Sequence, residues 1–259
     1  MNRISDFCLP RRNLGIGGTS ALVLLVATSA FAAPATHDAR VTQVIREVNL
    51  LPANAPSRHA VVNENVPETT SVKTGGDSRA ELTFIDLTII RLGANTLYSF
   101  KNSGRRVELS SGSTLLRVPK NSGSATIVTS AVTAGSTGTT FIFENIRGGG
   151  ARLTVLEGSA RLSLVKHRDQ TRGVNAGQTL EVPPGATRIP EPKEIDLDRL
   201  MKTAPLIVGF RPLPSLNLIN NAIRQQQQQR GQFNQPNNRN APPGPQNQAP
   251  PQPPPGPGR

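Results

Sequence analysis

From 132 to 158 the chain reads VTAGSTGTTFIFENIRGGGARLTVLEG, and its apolar positions recur at every second residue. Thr139, Phe141 and Phe143 alternate with Thr140, Ile142 and Glu144; beyond Arg147-Gly148-Gly149-Gly150, Leu153 and Val155 alternate with Thr154 and Leu156. Alternation of β-branched and aromatic residues places successive side chains on opposite faces of a strand, and glycines reach positive-φ turns cheaply. The stretch therefore predicts a β-hairpin, with Gly158 as the turn that closes its second strand. Just ahead of it, Gly135, Ser136, Thr137, Gly138 and Thr139 carry little side-chain bulk. They predict a structural or binding loop, through close approach of another backbone or a tight bend between strands. A phosphate-cradling loop would need a Lys and a following helix, and the sequence supplies neither.

The same period extends both ways. Strands are expected at 40–48, 79–84, 87–92, 97–100, 107–109, 115–118 and 126–128, with a further apolar stretch at Val61-Val62. After the hairpin they continue at 160–166 and 179–182, and Pro183-Pro184-Gly185 ends the series. Turn residues such as Gly75-Gly76-Asp77-Ser78, Gly93-Ala94-Asn95 and Ala176-Gly177-Gln178 fall about every 8 to 12 residues, the spacing of an all-β sandwich, barrel or solenoid. The fold class expected is all-β, an antiparallel multi-stranded sandwich or solenoid, followed by a short C-terminal helix and a disordered tail.

Residues 194–201 form the best helix candidate. Their acidic residues come early and Lys202 late, as the helix dipole favours, and Ile195, Leu197, Leu200 and Met201 give an apolar side. A second short helix is expected at 216–224. From 225 to 259 the chain is Gln, Asn, Pro and Gly with scattered Arg and a single large apolar residue, Phe233. Such a composition cannot bury enough surface to offset the entropy of ordering, so this segment is expected to be disordered. The division that follows is 1–32 signal peptide, 40–186 β domain, 187–224 helical or extended segment, and 225–259 tail.

Export is read from the first 33 residues. Arg3, Arg11 and Arg12 precede an apolar run over 14–31, and Ala30-Phe31-Ala32 offers the small residues of a cleavage site, with cleavage after Ala32 or Ala33. Gly15, Gly17, Gly18, Thr19 and Ser20 dilute the run, which favours a cleaved leader over a retained anchor and predicts no stable membrane insertion after cleavage. The only cysteine, Cys8, would leave with it, so a mature chain has no disulfide. It would keep 26 basic against 16 acidic side chains, and a basic protein outside the cytoplasm suits anionic polymers, lipid headgroups or acidic partners. Nucleic acid is a poor fit, because eight Phe, one Tyr and no Trp leave few stacking residues.

Candidate chemistry is sparse, and no enzyme or cofactor is expected. His37, His59 and His167 have no metal-ligand spacing. Ser136 and Thr139 have no neighbouring His or Lys to activate them. Glu144 and Glu157 could face each other across the hairpin as a carboxylate pair, but a glycosidase cleft needs aromatic platforms that this composition lacks. The plainer expectation is two solvent-facing carboxylates opposite Arg152 and Arg161.

Six pieces in fixed order resemble the FecR domain family: TGGDSRAEL at 74–82, IRLGANT at 90–96, GSTLLRV at 112–118, TAGSTGTTF at 133–141, VLEG at 155–158 and AGQ at 176–178. The resemblance implies an all-β exported or periplasmic domain without a catalytic centre, binding an envelope protein or an anionic cell-wall or surface polymer. Well-understood members of the family look like relays, in which the β domain senses a receptor and a cytoplasmic segment controls a sigma factor. Here about a dozen residues precede the apolar run, so fold and location are expected to carry over and sigma-factor control is not. A membrane-anchored relay stands as the alternative. Ile85-Asp86-Leu87-Thr88 also departs from the family's usual Asp-Gly turn.

Overall fold

Two β-sheets share one strand, and most of the hydrophobic core lies between them. The computed structural model describes residues 38–233. In the first sheet the order is β4 (Asn65–Val66), β1 (Ala39–Ile45), β6 (Arg79–Phe84), β7 (Ile89–Leu92), β9 (Arg106–Arg117), β12 (Thr140–Ile146), β13 (Gly150–Glu157), β16 (Gln178–Val182) and β17 (Lys193–Glu194). The second runs β3 (Arg58–His59), β2 (Val48–Pro52), β5 (Thr70–Thr74), β8 (Leu97–Lys101), β9, β10 (Ser124–Val128), β11 (Val132–Thr137), β14 (Ser159–Leu164) and β15 (Thr171–Asn175). Every pairing is antiparallel except β9 with β10. The result is an all-β sandwich.

The expected hairpin is β12–β13, with Phe141, Phe143, Leu153 and Val155 fully buried on its inner face. Strand boundaries differ from the sequence expectation where the chain passes between sheets. The single strand expected at 40–48 is two, broken where Arg46 takes φ +60. There Glu47 O accepts from Gly75 N–H at 3.0 Å and Glu47 N–H donates to Ser78 Oγ at 3.1 Å, which fixes the crossing. Conversely, the two strands expected at 107–109 and 115–118 are one continuous β9. Its residues 106–111 pair in the second sheet and 112–117 in the first, with Gly112 at φ +84 where it crosses. Val61 and Val62 lie in a turn, 64% and 46% exposed, and form no strand.

The central strands of the first sheet are buried on both faces. On the outer face Leu115, Ile142 and Leu156 form a second apolar cluster with Leu197, Ala204, Leu206, Leu213 and Ile219 of the C-terminal segment. This segment holds α1 (Leu197–Thr203), capped by Asp196, and α2 (Leu216–Phe233). The second helix runs nine residues past its expected end, into the stretch expected to be disordered. Glutamine is a good helix former, and two side chains tie this extension down. Gln226 donates to Ile195 O at 2.7 Å and accepts from Leu197 N–H, and Arg230 donates to Ile195 O at 3.0 Å. The Pro-rich remainder of the tail, 234–259, and the leader with Ala32 and Ala33 lie outside the described residues. The chain divides into two units, Met1–Pro34 and Ala35–Arg259, and every member of both apolar clusters falls between Ala39 and Ile223. Among the described residues, both apolar clusters therefore lie within the second unit.

Polar contacts join the apolar cluster in fixing the C-terminal segment to the sheet. Gln43, Glu81, Arg91, Leu115 and Ile142 stand in one row across the outer face of the first sheet. Arg91, 1% exposed, donates from Nε to Glu81 Oε2 at 2.9 Å and from Nη1 to Leu206 O at 3.2 Å. Its Nη2 reaches Arg211 O, and the Phe210 ring covers the guanidinium at 4.6 Å. Arg79 donates to Pro205 O and Val208 O, and Gln43 to Gly209 O. The carbonyls of a turn without regular structure thus find charged or amide donors, that of the buried Leu206 among them.

Candidate functional site

The run singled out in the sequence is for the most part not a loop. Gly135, Ser136 and Thr137 belong to β11, bonded to β10 on one side and β14 on the other. Ser136 points inward and is 7% exposed, while Gly135 and Thr137 face outward. Small size masked ordinary strand alternation here, because Thr133, Gly135 and Thr137 offer no contrast in bulk to Ala134 and Ser136. Only Gly138 makes the expected bend, at φ +61, against Lys120. Thr139 is fully buried, and its hydroxyl donates to Thr137 O at 3.1 Å and Ser159 O at 2.8 Å.

The carboxylates Glu144 and Glu157 do not meet. Glu144 pairs in register with Arg152, as expected, whereas Glu157 stands opposite Thr140. Arg161 lies on β14 opposite Gly135, in the other sheet. Nor is Glu157 solvent-facing: it is 7% exposed, and its nearest cation is Lys120 at 3.8 Å. Burial pushes its carboxyl above the ordinary glutamate value of 4.5, outweighing Lys120, Arg117 and the bond from Thr140. A carboxyl raised on folding holds more protons in the native than in the unfolded chain across that window, so its contribution weakens as pH rises through it. We expect Glu157→Gln to be more stable than wild type at pH 7, with the two urea midpoints converging as pH falls below about 4.5. A less stable Gln variant at pH 7 would mean that the pairing with Lys120 outweighs burial. His59 and His167 are both exposed, and His37 lies outside the described residues. Among the described residues no three His, Cys, Asp or Glu side chains cluster as a metal site.

A groove of about 800 Å³ opens instead between the outer face of the first sheet and α1. Ile142, Leu200, Ala204 and Leu206 supply its apolar surface, and Ser113, Thr154, Thr179 and Thr203 line it with hydroxyls. Charge enters through Glu144, Arg152, Asp196 and Arg199. Arg152 is held in place by two carboxylates: Nη1 donates to Glu144 Oε2 at 2.7 Å, and Nε and Nη2 to Glu181 Oε2 at 3.1 and 2.9 Å. The hydrogen bonds to Glu181 above all, with the charge of both glutamates, raise its pKa, so the guanidinium is a fixed positive point in the wall. Asp196 accepts from Arg199 N–H at 2.9 Å and starts α1, which sets the far wall. A half-open slot with an apolar base and a few oriented polar groups has the composition typical of ligand-binding clefts. Sequence patterning missed it, because one wall comes from β12, β13 and β16 and the other from a helix at least ten residues further along the chain.

Residues 70–161 match the family model described as FecR protein. No curated protein matches the chain. Two crystal structures, at 1.65 and 2.50 Å, of a "putative anti-sigma factor" from Parabacteroides distasonis ATCC 8503 are similar to it at 15% and 16% identity, each with a TM-score of 0.44. The match covers 51% of this chain and 62% of each of those chains, so this chain spans less than two thirds of their length.

Proposed function

The chain carries a FecR domain over residues 70–161, and from that premise we propose that it is a non-catalytic regulator of the FecR type, acting by binding a protein partner. The family match carries this reading, and it favours regulation over the binding of an envelope polymer expected from charge alone. The groove beside α1 is the surface through which we infer that the partner is engaged. Its hydroxyl lining and apolar base suit a short peptide segment with one apolar side chain and backbone groups for the hydroxyls to bond. A place outside the cytoplasm is part of the proposal and rests on the leader pattern of residues 1–32.

The test is made in the source cell. Deleting the gene should change the transcript levels of a limited set of genes, and re-expression should restore them. A chain carrying Arg199→Glu with Thr203→Trp, two exposed α1 positions lining the groove, should fold as wild type yet fail to restore. An unaltered transcript profile after deletion would overturn the regulatory reading. Full restoration by the groove variant would overturn the groove as the contact.

A further inference from the structure

The connection between β6 and β7 combines strain with exposure. Leu87 N–H donates to Phe84 O and Phe84 N–H to Thr88 O, each at 2.9 Å. That is the bonding of a three-residue hairpin loop whose last residue adopts the left-handed conformation normally given to glycine. Leu87 occupies it at φ +64. The other non-glycine residues with positive φ are Asn, Asp, Ser and one Arg, so Leu87 is the single apolar side chain so placed among the described residues. A bulky residue there is a true outlier. Its side chain gains nothing from the core in return, being 65% exposed, and Ile85 beside it is 73% exposed.

The turn is nonetheless braced. Asp86 accepts from Thr88 N–H at 3.0 Å and from the Thr88 hydroxyl at 2.9 Å, and pairs with the Arg105 guanidinium. Arg117 donates from Nη1 to Leu87 O at 2.9 Å. Below, Phe84 is buried edge-on against Phe100 at 5.0 Å. Two aliphatic side chains are therefore held outward on a braced turn. Two guanidiniums, Arg105 and Arg117, stand against one carboxylate, Asp86, at that turn.

We propose that Ile85 and Leu87 form an apolar wedge that enters an anionic lipid surface, with Arg105 and Arg117 lying at headgroup level. Two exposed aliphatic side chains beside two guanidiniums and one carboxylate fit a lipid–water boundary, where aliphatic tips sink below the headgroups and basic residues meet their charge. Strain at Leu87 is then offset when its side chain leaves water. This goes beyond the regulatory reading and does not depend on it.

Residues 35–259, which hold both apolar clusters, are mixed with vesicles of phosphatidylcholine alone or with phosphatidylglycerol added, and the bound fraction is measured by sedimentation. We expect binding to the anionic vesicles, weaker binding to the neutral ones, and a loss of about tenfold or more for Leu87→Gly and for Ile85→Ser. Leu87→Gly should melt at the wild-type temperature or above it, since glycine relieves the left-handed strain. Failure of the wild type to bind anionic vesicles would overturn the assignment and leave a protein pocket as the wedge's occupant. Equal binding by wild type and both variants would overturn it as well.

Discussion

Arg91→Ala is expected to lower stability by about 3 to 5 kcal/mol, the usual result of removing one partner from a buried ion pair. Arg91 is 1% exposed and Glu81 6%, so the substitution leaves a carboxylate in a dry site and strips Leu206 O and Arg211 O of their donor. Burial pulls the guanidinium below its usual pKa, while the bond to Glu81 and its charge oppose that shift and keep it ionised. A fall of several kcal/mol in urea unfolding should come with faster amide exchange across 204–223, because the turn carrying those carbonyls loses its anchor. The double variant Glu81→Leu with Arg91→Met should recover the part of the loss that comes from the unpaired carboxylate, while Leu206 O and Arg211 O still lack their donor. A single variant as stable as wild type would show that the C-terminal segment is held by its apolar contacts alone.

Gly112→Ala is expected to be nearly as damaging. Gly112 has φ +84, and a Cβ there would lie 2.5 Å from the Thr96 Cα, which is backbone and cannot swing aside. Thr96 is itself held on both sides of the site, its hydroxyl receiving Ser113 N–H and donating to Ser113 O at 3.1 Å each. Left-handed strain of about 1 to 2 kcal/mol adds to overpacking of about 1 to 3 kcal/mol, for a loss of roughly 2 to 5 kcal/mol. The urea midpoint should fall with little change in slope if β9 still joins both sheets. A much lower slope would mean that the sandwich has come apart at the crossing.

Strand identity was legible wherever bulky and polar residues alternate, as in β6, β12 and β13. It failed where size gives no contrast, in β11, and where Val174 is the single buried residue, in β15. The crossings were hidden for another reason. Whether a strand stops at a polar break or bends into the other sheet depends on what waits across the gap, and Thr96 and Ser78 are distant in sequence from the residues they fix. The groove and the Arg91 site belong to the same class. Arg91 reads as one charged residue in an apolar strand, and its partners at 206 and 211 lie 115 and 120 positions away. Helix α1 was expected from its acidic start and basic end, whereas the extension of α2 depends on Gln226 and Arg230 finding Ile195 O.

The same separation sets an order of assembly. A chain made from its N-terminus completes β6, β7 and β9 long before residues 204–213 exist, so the first sheet must stand for a time with its outer face bare. Glu81, Arg91, Thr140 and Thr154 interrupt Leu115, Ile142 and Leu156 there, and they keep that face wettable while it waits. Only when the last fifth of the chain arrives are those waters expelled and the outer face covered. In that order the C-terminal segment is the last layer to close over the sheet.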